Sequence, residues 1–210
     1  MKILMVGIKA SGKGTQASRL AKKLGILHIS SGDIFRDIDV KSPLGKKIRS
    51  FIDKGMYVPD DLVLEIVAKR LKKKDCKEGF VLDGFPRTLN QAKEFDKKHK
   101  LDHVVSIKVS RKEALHRISG RRVCKKCDIS YNIYTAPKPK KAGICDKCGS
   151  KLFQRKDETK EAATRRINKD MKELGPMLKF HRAQGIVVEV NGEQPIEAVQ
   201  KEIREKLGIK

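Results

Sequence analysis

The stretch Gly7-Ile8-Lys9-Ala10-Ser11-Gly12-Lys13-Gly14-Thr15 constrains this chain more than any other. Ile3-Leu4-Met5-Val6, before it, reads as a buried strand, and Gln16 to Leu24, after it, places Ala17, Leu20, Ala21 and Leu24 at helical spacing. Strand, glycine loop and helix in that order is the context a phosphate-binding loop requires. Backbone N–H groups can wrap a phosphate there, and the helix N-terminus adds its positive dipole end. Glycines are needed because a Cβ would collide with the turn or with the phosphate oxygens. Lys13 would reach the β- and γ-phosphates as a point charge. The strict pattern wants Ser or Thr directly after the lysine, whereas Gly14 here precedes Thr15.

The 210 residues suit one α/β domain with insertions and a substantial core. A net charge of +23, from 49 basic and 26 acidic residues, admits nucleic acid, anionic membranes or phosphorylated small molecules as partners. Much of the excess is lysine on expected helix faces, as in Lys72-Lys73-Lys74. With no tryptophan and three tyrosines, stacking platforms for single-stranded nucleic acid are scarce. No stretch approaches the roughly 20 apolar residues of a membrane span, and no signal peptide precedes the glycine loop, so a cytoplasmic protein is expected.

Along the chain, Ile26–Ile29 reads as a second strand, after which Asp33 can cap a short helix. Amphipathic stretches follow at Leu44–Asp53 and Asp60–Leu71. Gly79–Asp83 is an apolar strand that ends in a carboxylate, followed by Gly84-Phe85-Pro86-Arg87. A helix over Leu89–Lys98, a strand over Val104–Val109 and a helix capped by Ser110 come next; on that helix Arg117 and Arg121, four apart, would share a face. From Asp157 a long helical pattern runs, with Gly175-Pro176 expected to interrupt it. Ile186–Val190 and Pro195–Leu207 close the chain as strand and helix. Such alternation implies a doubly wound parallel sheet of about five strands covered on both faces.

Composition changes after Arg122. Cys124-x2-Cys127 and Cys145-x2-Cys148 are separated by 17 residues and can close a tetrahedral Cys₄ site. Four thiolates saturate the metal, so its expected role is structural, with zinc favoured and iron also compatible. Two disulfides are disfavoured without a secretion signal. Cys76 stands alone and reads as a passive thiol. Asp83 lies at the carboxyl end of a strand, where it can orient Mg²⁺ directly or through water. Arg36, Arg87, Arg117, Arg121, Arg155 and Arg166 lie near loops or element edges, where a planar guanidinium can hold a phosphate bidentately.

Taken together, these motifs resemble the adenylate kinases, in the long form with a zinc-binding lid. The match runs in order through Gly7–Thr15, Ile29–Asp33, Gly79–Thr88, Arg117-x3-Arg121-Arg122, the four cysteines and Arg155-Lys156-Asp157-Glu158. The resemblance implies Mg²⁺-dependent phosphoryl transfer from ATP to AMP. It implies an ATP site at Ala10, Ser11, Gly12, Lys13, Gly14 and Thr15, with Arg117 on the donor adenine and Arg121 on the phosphates. It implies an AMP site of Ser31, Arg36, Gly84, Arg87 and Gln91. Arg121, Arg155 and Arg166 would surround the phosphoryl group in transit, and Asp83 the magnesium and its waters. It divides the chain into a core (1–29, 60–121, 156–210), an acceptor-binding insertion (30–59) and a zinc lid (122–155), most simply a monomer. Where the family's loop usually reads Gly-x-Pro-Gly, this chain has Gly7-Ile8-Lys9-Ala10, and Ser31 stands where threonine is commoner.

Two alternatives stay open at this point. A nucleoside monophosphate kinase acting on another base would share nearly every motif. An RNA- or DNA-binding zinc-ribbon protein would draw on the basic lid (Arg121, Arg122, Lys125, Lys126, Lys138, Lys140, Lys141), although nucleic acid is not expected as the main partner.

Overall fold

The computed structural model describes residues 1–209. Five strands form its parallel sheet: β1 (Lys2–Val6), β2 (Leu27–Ser30), β3 (Phe80–Asp83), β4 (His103–Lys108) and, after three short strands described below, β8 (Val187–Asn191). Their spatial order is β2-β3-β1-β4-β8. Parallel strands need crossovers, and these are supplied by α1 (Lys13–Leu24), α2 (Ser31–Asp37), α3 (Pro43–Ile52), α4 (Asp60–Leu71), α5 (Leu89–Asp96), α6 (Arg111–Gly120) and α7 (Lys160–Arg182), while α8 (Ile196–Lys206) follows the last strand and packs on α1 and β8.

Both faces of the sheet are apolar, as a sheet covered by helices on both sides requires. Along β1 the side chains alternate. Leu4 and Val6 join Leu82, Val104, Phe85, Met177 and Leu178 in one core, while Ile3 and Met5 join Ala17, Leu20, Val105 and Ile203 in the other. Because β1 is central, the loop leaving it opens at the middle of the sheet's carboxyl edge. The register Met5↔Asp83 and Ser30↔Asp83 brings the ends of β2 and β3 beside it. Ligands of open α/β sheets bind at this edge.

Helix starts follow local capping chemistry. Ser42, Thr88, Ser110 and Thr159 accept from the backbone N–H three residues on. The expected cap at Asp33 is corrected: Ser30 caps α2 by accepting from Asp33 N at 3.3 Å, and Asp33 lies in the first turn. The expected break at Gly175-Pro176 is corrected too, since α7 runs unbroken to Arg182. Proline removes one intrahelical bond, and burial of Met177, Leu178 and His181 just beyond it holds the helix together. Nor do Arg117 and Arg121 share a helix face. α6 ends at Gly120 because Arg121 opens β5 (Arg121–Cys124), which pairs through Arg121↔Asn132 with β6 (Ser130–Asn132).

β5, β6 and β7 (Leu152–Phe153) make a small antiparallel sheet in the order β6-β5-β7, carrying the cysteines. Among the described residues no helix is long and apolar enough to cross a membrane.

Candidate active site

The glycine loop folds as its residue types require. Gly7 has φ +153°, and a Cβ there would lie 2.6 Å from Ser11 Oγ and 2.8 Å from Ile107 O. Gly14 explains the departure from the strict motif: a Cβ on it would sit 3.1 Å from Asp83 Oδ2, so glycine lets the β3 carboxylate come up against the loop. Ala10 has φ +66°, a left-handed conformation that costs an L-residue roughly 1–2 kcal/mol.

Lys13 Nζ donates to Ile8 O at 3.3 Å. Burial pushes its pKa below the usual lysine value; Asp83 and Asp170 oppose that shift, and Arg87 and Arg121 add to it. Those four groups come from β3, α7, the β3–α5 turn and the start of β5. Segments far apart in sequence therefore converge on one ammonium.

The candidate arginines each have an internal oxygen partner. Arg36 pairs with Asp33, and Arg87 Nε donates to Gly84 O. Arg121 pairs with Glu158, whose side chain is wholly buried. Arg155 Nη2 lies 3.2 Å from Asp128 Oδ1. Burial lowers the Arg155 pKa, and the charges of Arg36 and Arg121 lower it further, so these three cations lie within one another's field. Arg166 Nε donates to Asp170 Oδ1 at 2.9 Å. Arg117 donates to Glu113 Oε1 at 2.7 Å and to Gly192 O at 2.9 Å. Its Nη1 lies 4.0 Å from the Cβ position of Gly12, against the loop.

On the acceptor side, Ser31 is fully buried and its hydroxyl donates to Gly84 O at 2.6 Å. Both ends of the Gln91 amide are engaged within the chain: Oε1 accepts from Arg87 N at 2.8 Å and Nε2 donates to Asp60 Oδ1 at 2.6 Å. Gln91 thus shapes the Gly84–Arg87 turn, and reading a base would require exchanging one of these bonds. A cleft of about 630 Å³ runs beside this region, lined by Gly55 to Asp60, Thr88 to Asn90, Arg165, Lys169 and Glu173.

Asp83 is 8% exposed, and its Oδ1 is buried without a hydrogen-bond partner. His28 Nε2 is 3.9 Å from Oδ2. A carboxylate with one oxygen against the glycine loop and the other buried without a partner fits a cation held at the phosphates, directly or through water.

The four paired cysteines converge, with ligand atoms all within 4.8 Å of one another and Cys124 Sγ 3.5 Å from Cys148 Sγ. Zn–S bonds of about 2.3 Å give a tetrahedron with edges of about 3.8 Å, so the donor set fits zinc. The two knuckles are alike. Cys124 N and Cys145 N donate to Ile129 O and Ser150 O, while Asp128 N and Gly149 N donate back to Cys124 O and Cys145 O. Asp128 and Gly149 are both left-handed. Hydrogen bonds from Ser150 favour thiolate at Cys148 and pull its pKa down to about 6.

Comparison with known proteins agrees with this geometry. A family model described as adenylate kinase matches residues 5–186. The chain belongs to the adenylate kinase family. The adenylate kinase of Clostridium acetobutylicum is 44% identical over 99% of both chains. That of Caldicellulosiruptor bescii is 42% identical over the whole of both, and that of Caldanaerobacter subterraneus subsp. tengcongensis 43% over 99% of this chain and 96% of its own. The protein is accordingly a nucleotide-binding transferase of the adenylate kinase family, with a Cys₄ lid.

Several contacts around the glycine loop escape a reading of the sequence. Lys9 Nζ pairs with the Asp157 carboxylate and donates to Asp157 O at 2.8 Å, binding the glycine loop to the chain just past the lid. Glu158 partners Arg121. Asp170 and Tyr57 bridge α7 to the α3–α4 connection. The available signal was slight: Asp170 lies one helical turn after Arg166, a spacing that pairs acid with base.

Proposed function

We propose that, within the reversible conversion of ATP and AMP to two ADP that characterises its family, this chain transfers the γ-phosphoryl group in line to the AMP phosphate, in an Mg²⁺-dependent reaction. The observation that carries the reading is the convergence of Lys13, Asp83, Arg87 and Arg121 from four separate segments around one glycine loop. Phosphoryl transfer asks little covalent chemistry of a protein and depends on positioning and charge stabilisation.

Each group then has a role. Backbone N–H groups of Ala10 to Thr15 cradle the donor phosphates, with Lys13 on the β/γ oxygens. Arg117, beside Gly12, lies along the donor adenine. Arg36 and Arg87 hold the acceptor phosphate, and Ser31, Gly84 and Gln91 form the floor of its site. Arg121, Arg155 and Arg166 surround the group in transit. Asp83 would hold Mg²⁺, most simply through water, and the ion supplies charge neutralisation on the phosphates.

No base is needed, because a phosphate monoester with its second pKa near 6 is already largely dianionic at neutral pH. Water is the competing nucleophile. The lid lies between Arg121 and Arg155, so its closure carries both cations inward while excluding solvent. On binding, phosphate oxygens replace the present partners Glu158 and Asp128. The Cys₄ site holds zinc as a structural ion in place of a core that so small an insertion cannot build. The enzyme is taken to be a cytoplasmic monomer.

The test is ADP formation from ATP with AMP, CMP, UMP or GMP as acceptor, with and without Mg²⁺. Fast, Mg²⁺-dependent transfer to AMP alone is expected. Preference for another acceptor would overturn the base assignment and keep the mechanism. No transfer to any acceptor by folded, zinc-loaded protein would overturn the reading.

A further inference from the structure

Asp170 holds together three segments that the reaction needs in register. It lies on α7, is 8% exposed, and divides its carboxylate among them. Oδ2 accepts from the backbone N–H of Lys9, in the glycine loop, at 2.7 Å. Oδ1 accepts from the Tyr57 hydroxyl at 2.7 Å and from Arg166 Nε at 2.9 Å. Lys9 is 161 residues away in sequence and Tyr57 is 113, so one buried carboxylate joins the donor loop to the connection between α3 and α4.

Tyr57 extends the same network toward the acceptor. Arg166 Cζ lies 4.3 Å from its ring centroid, Lys169 Nζ 5.7 Å and Arg87 Cζ 5.8 Å. The negative face of an aromatic ring attracts cations, most strongly where water is excluded. Arg87 and Arg166 carry like charge, and nothing in their own chemistry would hold both near one point. The ring offers each an attractive surface, and the bond to Asp170 fixes the ring's orientation. Burial and the Asp170 charge keep the phenol protonated, so it stays a donor.

We propose that Tyr57 and Asp170 are positioning residues for phosphoryl transfer: the ring sets Arg87 and Arg166 relative to each other, and the carboxylate ties that pair to the donor loop. The inference deepens the reading above and rests on its assignment of Arg87 and Arg166 to the transferring phosphates. Neither residue touches the reacting atoms. Their effect belongs in turnover, since a misplaced guanidinium weakens contacts made in the transition state more than the binding of ATP at the loop.

The experiment is steady-state kinetics with ATP and AMP on Tyr57→Phe, Tyr57→Leu, Asp170→Asn, Arg87→Ala and Arg166→Ala, alongside thermal unfolding of each. Tyr57→Leu, which removes the aromatic surface, is expected to lower kcat roughly tenfold, leaving KM for ATP within about twofold. Tyr57→Phe keeps the ring and loses its anchor, with an expected fall of about two- to fivefold. Combining Tyr57→Leu with Arg166→Ala should cost less than the product of the two single effects. Should Tyr57→Leu fail to fold, Tyr57→Met, which keeps apolar bulk without an aromatic face, is judged by the same criterion. Parental kcat in the folded Tyr57 variants, with the arginine variants impaired, would overturn this inference alone. Parental kcat in Arg87→Ala and Arg166→Ala would instead overturn the assignment on which it rests.

Discussion

Replacing Lys9 by methionine keeps the apolar stem of the side chain and removes the ammonium that binds the glycine loop to Asp157. The side chains are 12% and 22% exposed, so the pair lies between the surface and buried limits. At about 3 Å and an effective dielectric near 20, unit charges attract by about 5 kcal/mol. Desolvation takes back several kcal/mol per ion, leaving the intact pair worth little on balance. Deleting one partner is different, because it strands the other; a fully buried pair broken this way loses about 3–5 kcal/mol. Asp157 retains the fields of Arg121 and Arg155, which softens the loss, and we expect about 2 kcal/mol at pH 7. For a chain of this size that is a fall in Tm of about 4–8 °C. The assay is denaturant and thermal unfolding of the parent, Lys9→Met, Asp157→Asn and the double variant, with an expected coupling of about 1–2 kcal/mol. Burial pushes the Asp157 carboxyl up, but the charge and hydrogen bond of Lys9, with the nearby arginines, outweigh it and hold the carboxyl below its ordinary value. A depressed carboxyl contributes stability above the unfolded pKa and loses it as pH falls through the folded one. The gap between parent and Lys9→Met should therefore narrow below about pH 4. A Lys9→Met protein as stable as the parent at pH 7, or a double variant equal to the sum of the singles, would refute the reasoning.

Other outcomes follow from the same geometry. Arg87→Ala should lower turnover by roughly 10²–10³-fold, the scale of losing one charged transition-state contact, with circular dichroism and Tm unchanged. Cys145→Ser, or stripping the metal with a chelator, should lower the temperature at which the lid unfolds, read by hydrogen exchange, more than the turnover of still-folded enzyme in the cold; loss of turnover without loss of lid protection would contradict a structural role. Ala10→Gly should relieve the left-handed strain and raise stability by about 0.5–1 kcal/mol after the added freedom of the unfolded chain is subtracted, read as a shift in the urea midpoint.

What the sequence disclosed was what short-range chemistry dictates. The strand, glycine loop and first helix are legible because the needs of a phosphate fix residue types at fixed offsets, and the Cys124/Cys127 and Cys145/Cys148 pairs are legible for the same reason in thiolate chemistry. Elsewhere a distant contact overrules the local rule. Pro176 is a helix breaker until Met177, Leu178 and His181 find their buried places. Arg121 continues a helical spacing until Asn132, eleven residues on, draws it into a strand. The partners of the cations were hidden more deeply still. Nothing near Lys9 or Tyr57 in sequence announces Asp157 or Asp170, and only the folded sheet edge brings them together.

The attachment of the cysteine-bearing sheet has a consequence for engineering. The chain passes out along β5 and returns along β7, and the two strands are neighbours, with Val123 opposite Phe153 and Cys124 opposite Leu152. A segment whose ends already lie side by side is a cassette: it can be exchanged for another of different length or chemistry without asking the framework to span a new gap. Chimeras joined at that rung would separate what the cassette contributes to heat resistance from what it contributes to turnover. The Arg121–Glu158 pair lies on the framework side of that rung, so an exchange there leaves it in place.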